Sequence, residues 1–477
     1  MMSSERVFSI FKELNAIPRP SHHEEKVADF LCQFAERLHL EYERDPANCV
    51  VIRKPATPGH EQAEPIVLLN HMDMVCVGMD DPENTPIEAY VEDGWMKARG
   101  TSLGADNGIG LSMALAVLES DDIVHGPLEV ITTTNEEDGM SGASQLRPTF
   151  IQGRKVINLD SEDYDTMTTG AAGACLQFHE IPATREPAQT DNQQWFRITI
   201  SGGLGGHSGV DINKGRASAI VALKRVLHFI HLLCDVRVAS LRMGEANASI
   251  ASSAEVVISV PIGGPTGFVI QQQVVTNNWL KFNYGHTDPN MQCKVEKCEP
   301  ESTVIDRQSF NALMECLEGV PQGVIKMSTS MPDTVETSNN IGIVETRDNC
   351  IFVSTHTRSF DDEVLGRLSG HIADMFKAHG ANSHQVMMAP AWQENQHSDF
   401  LKLTSDTFND VLGWRPRMVA MHFVLEAGYF VKKFPGIEIA SIGPRIVEPH
   451  STSERVELST IEDIWKVLLE MLSRLAA

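Results

Sequence analysis

The sequence predicts an α/β fold, a mixed, mostly parallel sheet domain with an inserted α+β domain of tandem ferredoxin-like βαββαβ halves. Three observations point there. Short apolar strands alternate with helical patterns before about residue 160 and again after about residue 391, as in sheets covered on both faces. Four of those strands stop on a carboxylate or a histidine: PIVLLNHMD (65–73), PLEVITTTNEE (127–137), KVINLDSE (155–162) and IEIASIGPRIVEPH (437–450). Between the third and the fourth, the polar stretch PATREPAQTDNQQ opens a region where strands and helices follow a different order.

In chain order, apolar residues at three- and four-residue steps predict helices over 3–16 and 22–39, separated by the break IPRPS. Strand-like runs follow at 49–53, 65–71, 94–98, 127–134 and 155–159, with helical patterns at 107–120 and 140–147 among them. The inserted region reads as strand 195–201, helix 213–235, strands 237–242 and 253–261, helix 265–284 and strand 291–299. A second, slightly shortened copy follows: helix 305–319, strands 341–346 and 350–357, helix 361–379 and strand 382–389. Helix 398–412, strand 417–421, helix 426–433, strand 437–441 and helix 459–475 then restore the α/β texture. The expected domains are therefore 1–186 plus 391–477, and an inserted lid over 187–390. Only that closure brings His450 to the other strand ends.

Composition narrows the function. A net charge of −25 argues against nucleic acid and anionic membrane, both of which call for a basic surface. The nine cysteines are an odd number without a C-x-x-C pair, which fits reduced thiols better than a disulfide framework or a structural zinc. The charged first helix is no signal peptide, and no apolar run reaches the ~18 residues of a membrane span. A cytoplasmic location is expected.

The strand ends carry the chemistry. His71, Glu136–Glu137, Asp160 and, a few residues on, His450 would converge at one edge of a parallel sheet, and Asp106 sits in LGADNGIG just before a helical pattern. These are nitrogen and oxygen donors with no thiolate, suited to a pair of divalent ions, zinc above all, with manganese and cobalt accepted too. Two adjacent ions need a shared carboxylate to offset their repulsion. A metal-bound imidazole usually gives its other N–H to a carboxylate, and Asp73 is placed to receive it. Neighbouring side chains at a strand end point opposite ways, so one of Glu136 and Glu137 can bind metal while the other takes a proton. Singly, H-x-D, a Glu pair, D-N-G and G-G-H-S-G are commonplace; their order and placement carry the weight.

That order, H-M-D, G-A-D-N-G, N-E-E-D-G-M, L-D-S-E, G-G-H-S-G and G-P-x-x-x-E-P-H-S, resembles the two-zinc peptidase family of carboxypeptidase G, aminoacylase and cytosolic dipeptidases. Within it the likeness is to the bacterial aminoacyl-histidine (Xaa-His) dipeptidases. It runs over nearly the whole chain, from SIFKELNAIPRPSHHEEKVADFL to SIGPRIVEPHS and the last helix. The resemblance implies that His71 and Asp160 bind one metal, Glu137 and His450 the other, and that Asp106 bridges them. It implies Glu136 as the general base acting on a water between the metals, Asp73 as the residue orienting His71, and a cis peptide after Asp106. His207 of GGHSG would stabilise the oxyanion, and Arg358 of THTRSF would hold the substrate carboxylate, with Asn247 and Glu426 as further substrate contacts.

The expected activity is metal-dependent hydrolysis of unblocked dipeptides, Xaa-His dipeptides first, a small peptide being the only partner. The alternative is an amidohydrolase deacylating N-acyl amino acids. The chain departs from its near relatives at Asn247–Ala251, His422–Gly428 and Gly170–Ala174, where Phe423 and Val424 would narrow a substrate pocket. Because the insertion is long and duplicated, His207 and Arg358 are both expected to act in cis, so that a monomer suffices, although a homodimer remains compatible.

Overall fold

The computed structural model describes residues 4–477 except 394 and 396, and the chain divides into two compact units. The first comprises Met1–Ala171, Trp392–Ala420 and Leu425–Ala477; the second comprises Ala172–Ala391 and Met421–Val424. No helix among the described residues is long and apolar enough to cross a membrane.

The first unit begins with helices Glu5–Asn15 and Glu25–Arg37, each amphipathic. Val7, Ile10, Phe11 and Leu14 recur at helical spacing and are all buried. An eight-stranded sheet follows, in the order Glu41–Arg44, Val50–Lys54, Leu128–Thr133, Ile66–His71, Lys155–Asn158, Glu438–Ser441, Thr166–Ala171, Arg417–Met421. Its four inner strands, Leu128–Thr133 to Glu438–Ser441, are mutually parallel. Every residue of Ile66–His71 and of Leu128–Thr133 is buried, as expected of strands covered on both faces. Helix Ala105–Glu119 is buried from Ala105 to Leu118 and, with the last helix Leu458–Leu475, belongs to the larger core. A small antiparallel sheet of Ile446–Val447, Arg455–Glu457, Trp95–Ala98 and Ala89–Glu92 displays the loop 448–454.

The second unit is a nine-stranded sheet with four helices sharing one core. Strands Gln292–Lys297, Gln193–Ser201, Ala254–Pro261 and Arg237–Met243 lie side by side in that order, with helices Ala219–Leu233 and Gly264–Tyr284 in the crossovers. This is the 4-1-3-2 arrangement of a ferredoxin-like half. The other half repeats it as Asn382–Ala389, Gly173–Pro182, Cys350–Ser359 and Val335–Thr346, with helices Arg307–Gly319 and Asp362–Ala378. Pairing of Arg242 with Glu345 and Met243 with Val344 joins the halves.

Three local expectations need correction. The first strand of the second half is Gly173–Pro182, which the sequence reading left in 1–186; it pairs along its length with Cys350–Ser359, so the second unit starts at Ala172. The copy is thus complete but discontinuous. Helix 213–235 starts only at Ala219, because residues up to Gly215, with φ of +67°, form turns. Within the polar stretch 182–194, Arg185–Pro187 forms a short strand against Thr303–Ile305.

Candidate active site

The four parallel strands end at one rim. His71 and Asp73 leave the first of them, Glu136 and Glu137 the second and Asp160 the third. The fourth runs on into the loop 448–454, where His450 sits in the left-handed region with φ of +57°. Asp106 stands at the start of helix Ala105–Glu119, and the peptide after it is cis. Asn107 Nδ2 donates to the Leu159 carbonyl at 2.6 Å, tying that turn to the segment that bears Asp160.

The geometry is specific. His71 Nε2 lies 3.2 Å from Asp106 Oδ1 and 3.2 Å from Asp160 Oδ1. His450 Nε2 lies 3.2 Å from Asp106 Oδ2 and 3.0 Å from Glu137 Oε2. Two three-donor groups result, and Asp106 belongs to both, one oxygen to each.

Protons decide what such groups can hold. His71 Nδ1 is 3.1 Å from the Asp73 carbonyl oxygen, which can only accept, so Nδ1 carries a proton. The Nε2 lone pair of a neutral ring then faces two carboxylate oxygens, a repulsive arrangement that a cation among them relieves. Burial opposes a charged His71 ring, yet Asp160 and Asp106 raise its pKa well above the ordinary value. Hydrogen bonds to Asp106 and Glu137 lift His450 to about 11, while burial lifts Asp160 to about 7. The surroundings call for positive charge. Donors on one tetrahedral zinc stand ~3.3 Å apart, close to the separations found here. Glu137 Oε1 is buried with no hydrogen-bond partner among the described residues. Nitrogen, two carboxylates and no thiolate in each group fit a pair of zinc, manganese or cobalt ions.

Asp73 does more than face His71. Its carboxylate, 3.5 Å from His71 Nδ1, accepts the backbone N–H of Glu136 at 3.0 Å and of Glu137 at 3.2 Å, plus the Ser21 hydroxyl at 2.8 Å. It therefore sets the positions of both glutamates. Desolvation raises the Glu136 pKa well above the ordinary carboxylate value, with Asp160, Glu426 and Glu137 adding to the rise. Glu426, buried in the same unit, is pushed up to about 8 by burial, and its Oε1 has no partner among the described residues.

The remaining candidates, His207, Arg358 and Asn247, lie in the second unit. On strand Cys350–Ser359, Ile351 and Val353 face the helical core, so His356 and Arg358 project from the opposite face. The Arg358 guanidinium is buried, and Nη2 is 3.4 Å from Ser208 Oγ and 3.5 Å from His207 Nε2. His207 Nδ1 accepts backbone N–H groups of Val210 at 3.1 Å and Gly209 at 3.3 Å, so the proton of its neutral ring sits on Nε2. Burial and then Arg358 lower the His207 pKa to about 4, which keeps the ring neutral. Two donors thus converge, and neither satisfies the other. Arg358 Nε, both His356 ring nitrogens and Asn247 Oδ1 are buried without partners among the described residues. His422, which precedes the departures Phe423 and Val424, has its Nε2 2.7 Å from Ser338 Oγ.

Sequence reasoning missed Arg19, Ser21, Glu24 and Glu454, which are buried or half-buried against the turns that carry the site, and His356 beside Arg358. Arg19 and Ser21 stand in the proline break IPRPS between the first two helices.

The chain matches peptidase family M20/M25/M40 over residues 67–474. It is 33% identical to the cytosol non-specific dipeptidase of Escherichia coli, over 100% of this chain and 99% of that protein. Among solved structures, the aminoacylhistidine dipeptidase of Vibrio alginolyticus superposes with a TM-score of 0.92 at 30% identity, covering 99% of this chain and 97% of that one. The aminopeptidase PepT of Bacillus cereus shares the fold, with a TM-score of 0.61 at 18% identity and full coverage of both chains. With both strand-end donor groups, Asp106 shared between them and a match over most of its length, the chain belongs to peptidase family M20/M25/M40.

Proposed function

We propose that this peptide-bond hydrolase is a dipeptidase acting on unblocked dipeptides, Xaa-His among them, with two divalent ions, zinc foremost. The observation that carries the reading is the pair of three-donor groups sharing Asp106, with Glu136 beside them. Bound there, the ions would polarise the scissile carbonyl and make the attacking water more acidic. His71 and Asp160 would hold one ion, Glu137 and His450 the other, and Asp106 would serve both. Glu136, whose burial raises its proton affinity, takes a proton from the attacking water and returns it to the leaving amine. His207 donates a hydrogen bond from Nε2–H to the carbonyl oxygen as charge develops there and keeps its proton. Arg358 pairs with the substrate's C-terminal carboxylate. Asn247 and Glu426 are further substrate contacts, each with a buried oxygen left without a partner among the described residues.

The full-length similarity to a non-specific dipeptidase and an aminoacylhistidine dipeptidase supports a dipeptide substrate. His207 and Arg358 lie in one unit of one chain, 3.5 Å apart, which supports their acting together in cis. The cytosol is the proposed compartment, in keeping with nine free cysteines and the cytosolic relative. The test is metal content of the purified protein, followed by hydrolysis of Xaa-His, other dipeptides and their N-acetyl forms. Cleavage of the free dipeptides with the N-acetyl forms untouched supports the proposal. Faster turnover of N-acyl amino acids would instead make the chain a deacylase.

A further inference from the structure

Asp106 has a harder task than any other donor: each of its two oxygens must face a different histidine. Its own side chain cannot ensure that; the backbone carrying it must be held. The Glu454 carboxylate is buried beneath that backbone and accepts four successive N–H groups. These are Leu103 at 2.7 Å, Gly104 at 3.0 Å, Ala105 at 2.8 Å and Asp106 at 3.5 Å. Leu103 precedes helix Ala105–Glu119, Gly104 caps it and Asp106 has non-helical φ/ψ, so these N–H groups lack intrahelical partners and the carboxylate supplies them.

Arg19, equally buried, holds the same turn by its opposite group. Its Nη2 donates to the Gly104 carbonyl at 2.6 Å, while Nη1 donates at 3.2 Å to the carbonyls of Met72 and Asp73. One guanidinium therefore links the turn of Asp106 to the strand end of His71 and Asp73. The fit is close. A Cβ on Gly104 or Gly108 would stand 2.5 or 2.7 Å from Arg19 Nη2.

We propose that Arg19 and Glu454 are a buried positioning pair that clamps the Leu103–Asp106 turn and thereby enables Asp106 to serve two metal ions at once. The two residues arrive from opposite ends of the chain and touch no predicted metal-facing atom, so they act through Asp106 and are not catalytic themselves. This rests on the two-metal reading given above. Loosening the turn leaves His71 with Asp160 and His450 with Glu137 able to hold an ion less firmly, so the ion released more readily is the second.

The experiment is a chelator challenge of the zinc-loaded full-length protein, with bound zinc per chain measured after dialysis at graded chelator concentrations. Glu454→Gln keeps the shape but replaces one accepting oxygen by an NH2 group. The control is Glu129→Gln, whose buried carboxylate likewise accepts two backbone N–H groups, of Gln152 at 2.7 Å and Gly153 at 2.8 Å, on a turn that carries no site residue. Glu454→Gln is expected to lose its second zinc at a chelator concentration at least ~10-fold lower than wild type, with Glu129→Gln unchanged. Retention equal to wild type in Glu454→Gln, or an equal loss in Glu129→Gln, overturns the clamp. Arg19→Lys, which keeps the charge but not the fork, carries the same expectation if Glu454→Gln fails to fold. Wild type binding fewer than two zinc ions overturns the two-metal reading and the clamp with it, whereas two ions held equally by wild type and variant overturn the clamp alone.

Discussion

His207 Nε2 stands 3.5 Å from Arg358 Nη2 in one chain, and both atoms carry protons, so the two residues do not satisfy each other and each can donate to an oxygen of a bound molecule. Arg358→Ala is expected to raise KM for a dipeptide by ~10²-fold, as fits a lost charge-assisted bond to a carboxylate. His207→Ala is expected to lower kcat by ~10²–10³-fold with a smaller effect on KM, the pattern of a contact made in the transition state. Steady-state kinetics of both and of the double variant check this, and a double loss smaller than the product of the single losses marks coupling between the two neighbours.

Glu136→Gln removes the base and leaves every metal donor in place. Zinc content should match wild type while kcat falls by ~10²–10⁴-fold. Hydrolysis at the wild-type rate with metal retained would defeat the assignment.

Asp73→Asn tests the hub beneath the two glutamates. An amide accepts through one oxygen only and points an NH2 at an N–H that now finds a carboxylate. Zinc affinity should drop by ~10–100-fold, together with kcat, because both Glu136 and Glu137 lose their backbone anchor. Chelator competition and kinetics on zinc-saturated protein separate the two effects.

Acid should weaken the second unit. His179 is buried between Ser383 Oγ at 2.9 Å and Thr355 Oγ1 at 3.0 Å and stacks on Phe376, and burial lowers its pKa to about 4. An unfolded chain protonates this ring at its ordinary pKa near ~6.5, so between there and about 4 the unfolded state binds more protons. The stability contributed by a neutral ring is present above the unfolded value and lost as pH falls towards the folded one, up to ~3 kcal/mol. Thermal melts across that window should fall less steeply in His179→Gln than in wild type.

Much of the first unit is readable because PIVLLNHMD and PLEVITTTNEE are largely apolar or β-branched runs ending in polar donors, as suits strands covered on both faces. The strand Gly173–Pro182 is not readable in the same way. It alternates buried and half-buried residues, and its partners Cys350–Ser359 and Asn382–Ala389 lie far along the chain, so nothing local announces its place. The donors Asp106 and His450 are legible from residue type and order. Arg19 and Glu454 are not, since a lone charged residue in a loop reads as solvated until burial and backbone contacts reveal otherwise. The shared proton logic of His207 likewise depends on two backbone amides that no spacing rule specifies.

The sheet of the first unit has its last strand in chain order, Glu438–Ser441, seated between Lys155–Asn158 and Thr166–Ala171, two strands made early in synthesis. A nascent chain on the ribosome must therefore carry a slot open in the middle of its sheet while nearly all the remaining residues emerge. Such distant pairing slows folding and leaves strand edges exposed to other chains. A prematurely terminated product would be an unclosed sheet without His450, with no peptidase activity and a strong tendency to aggregate.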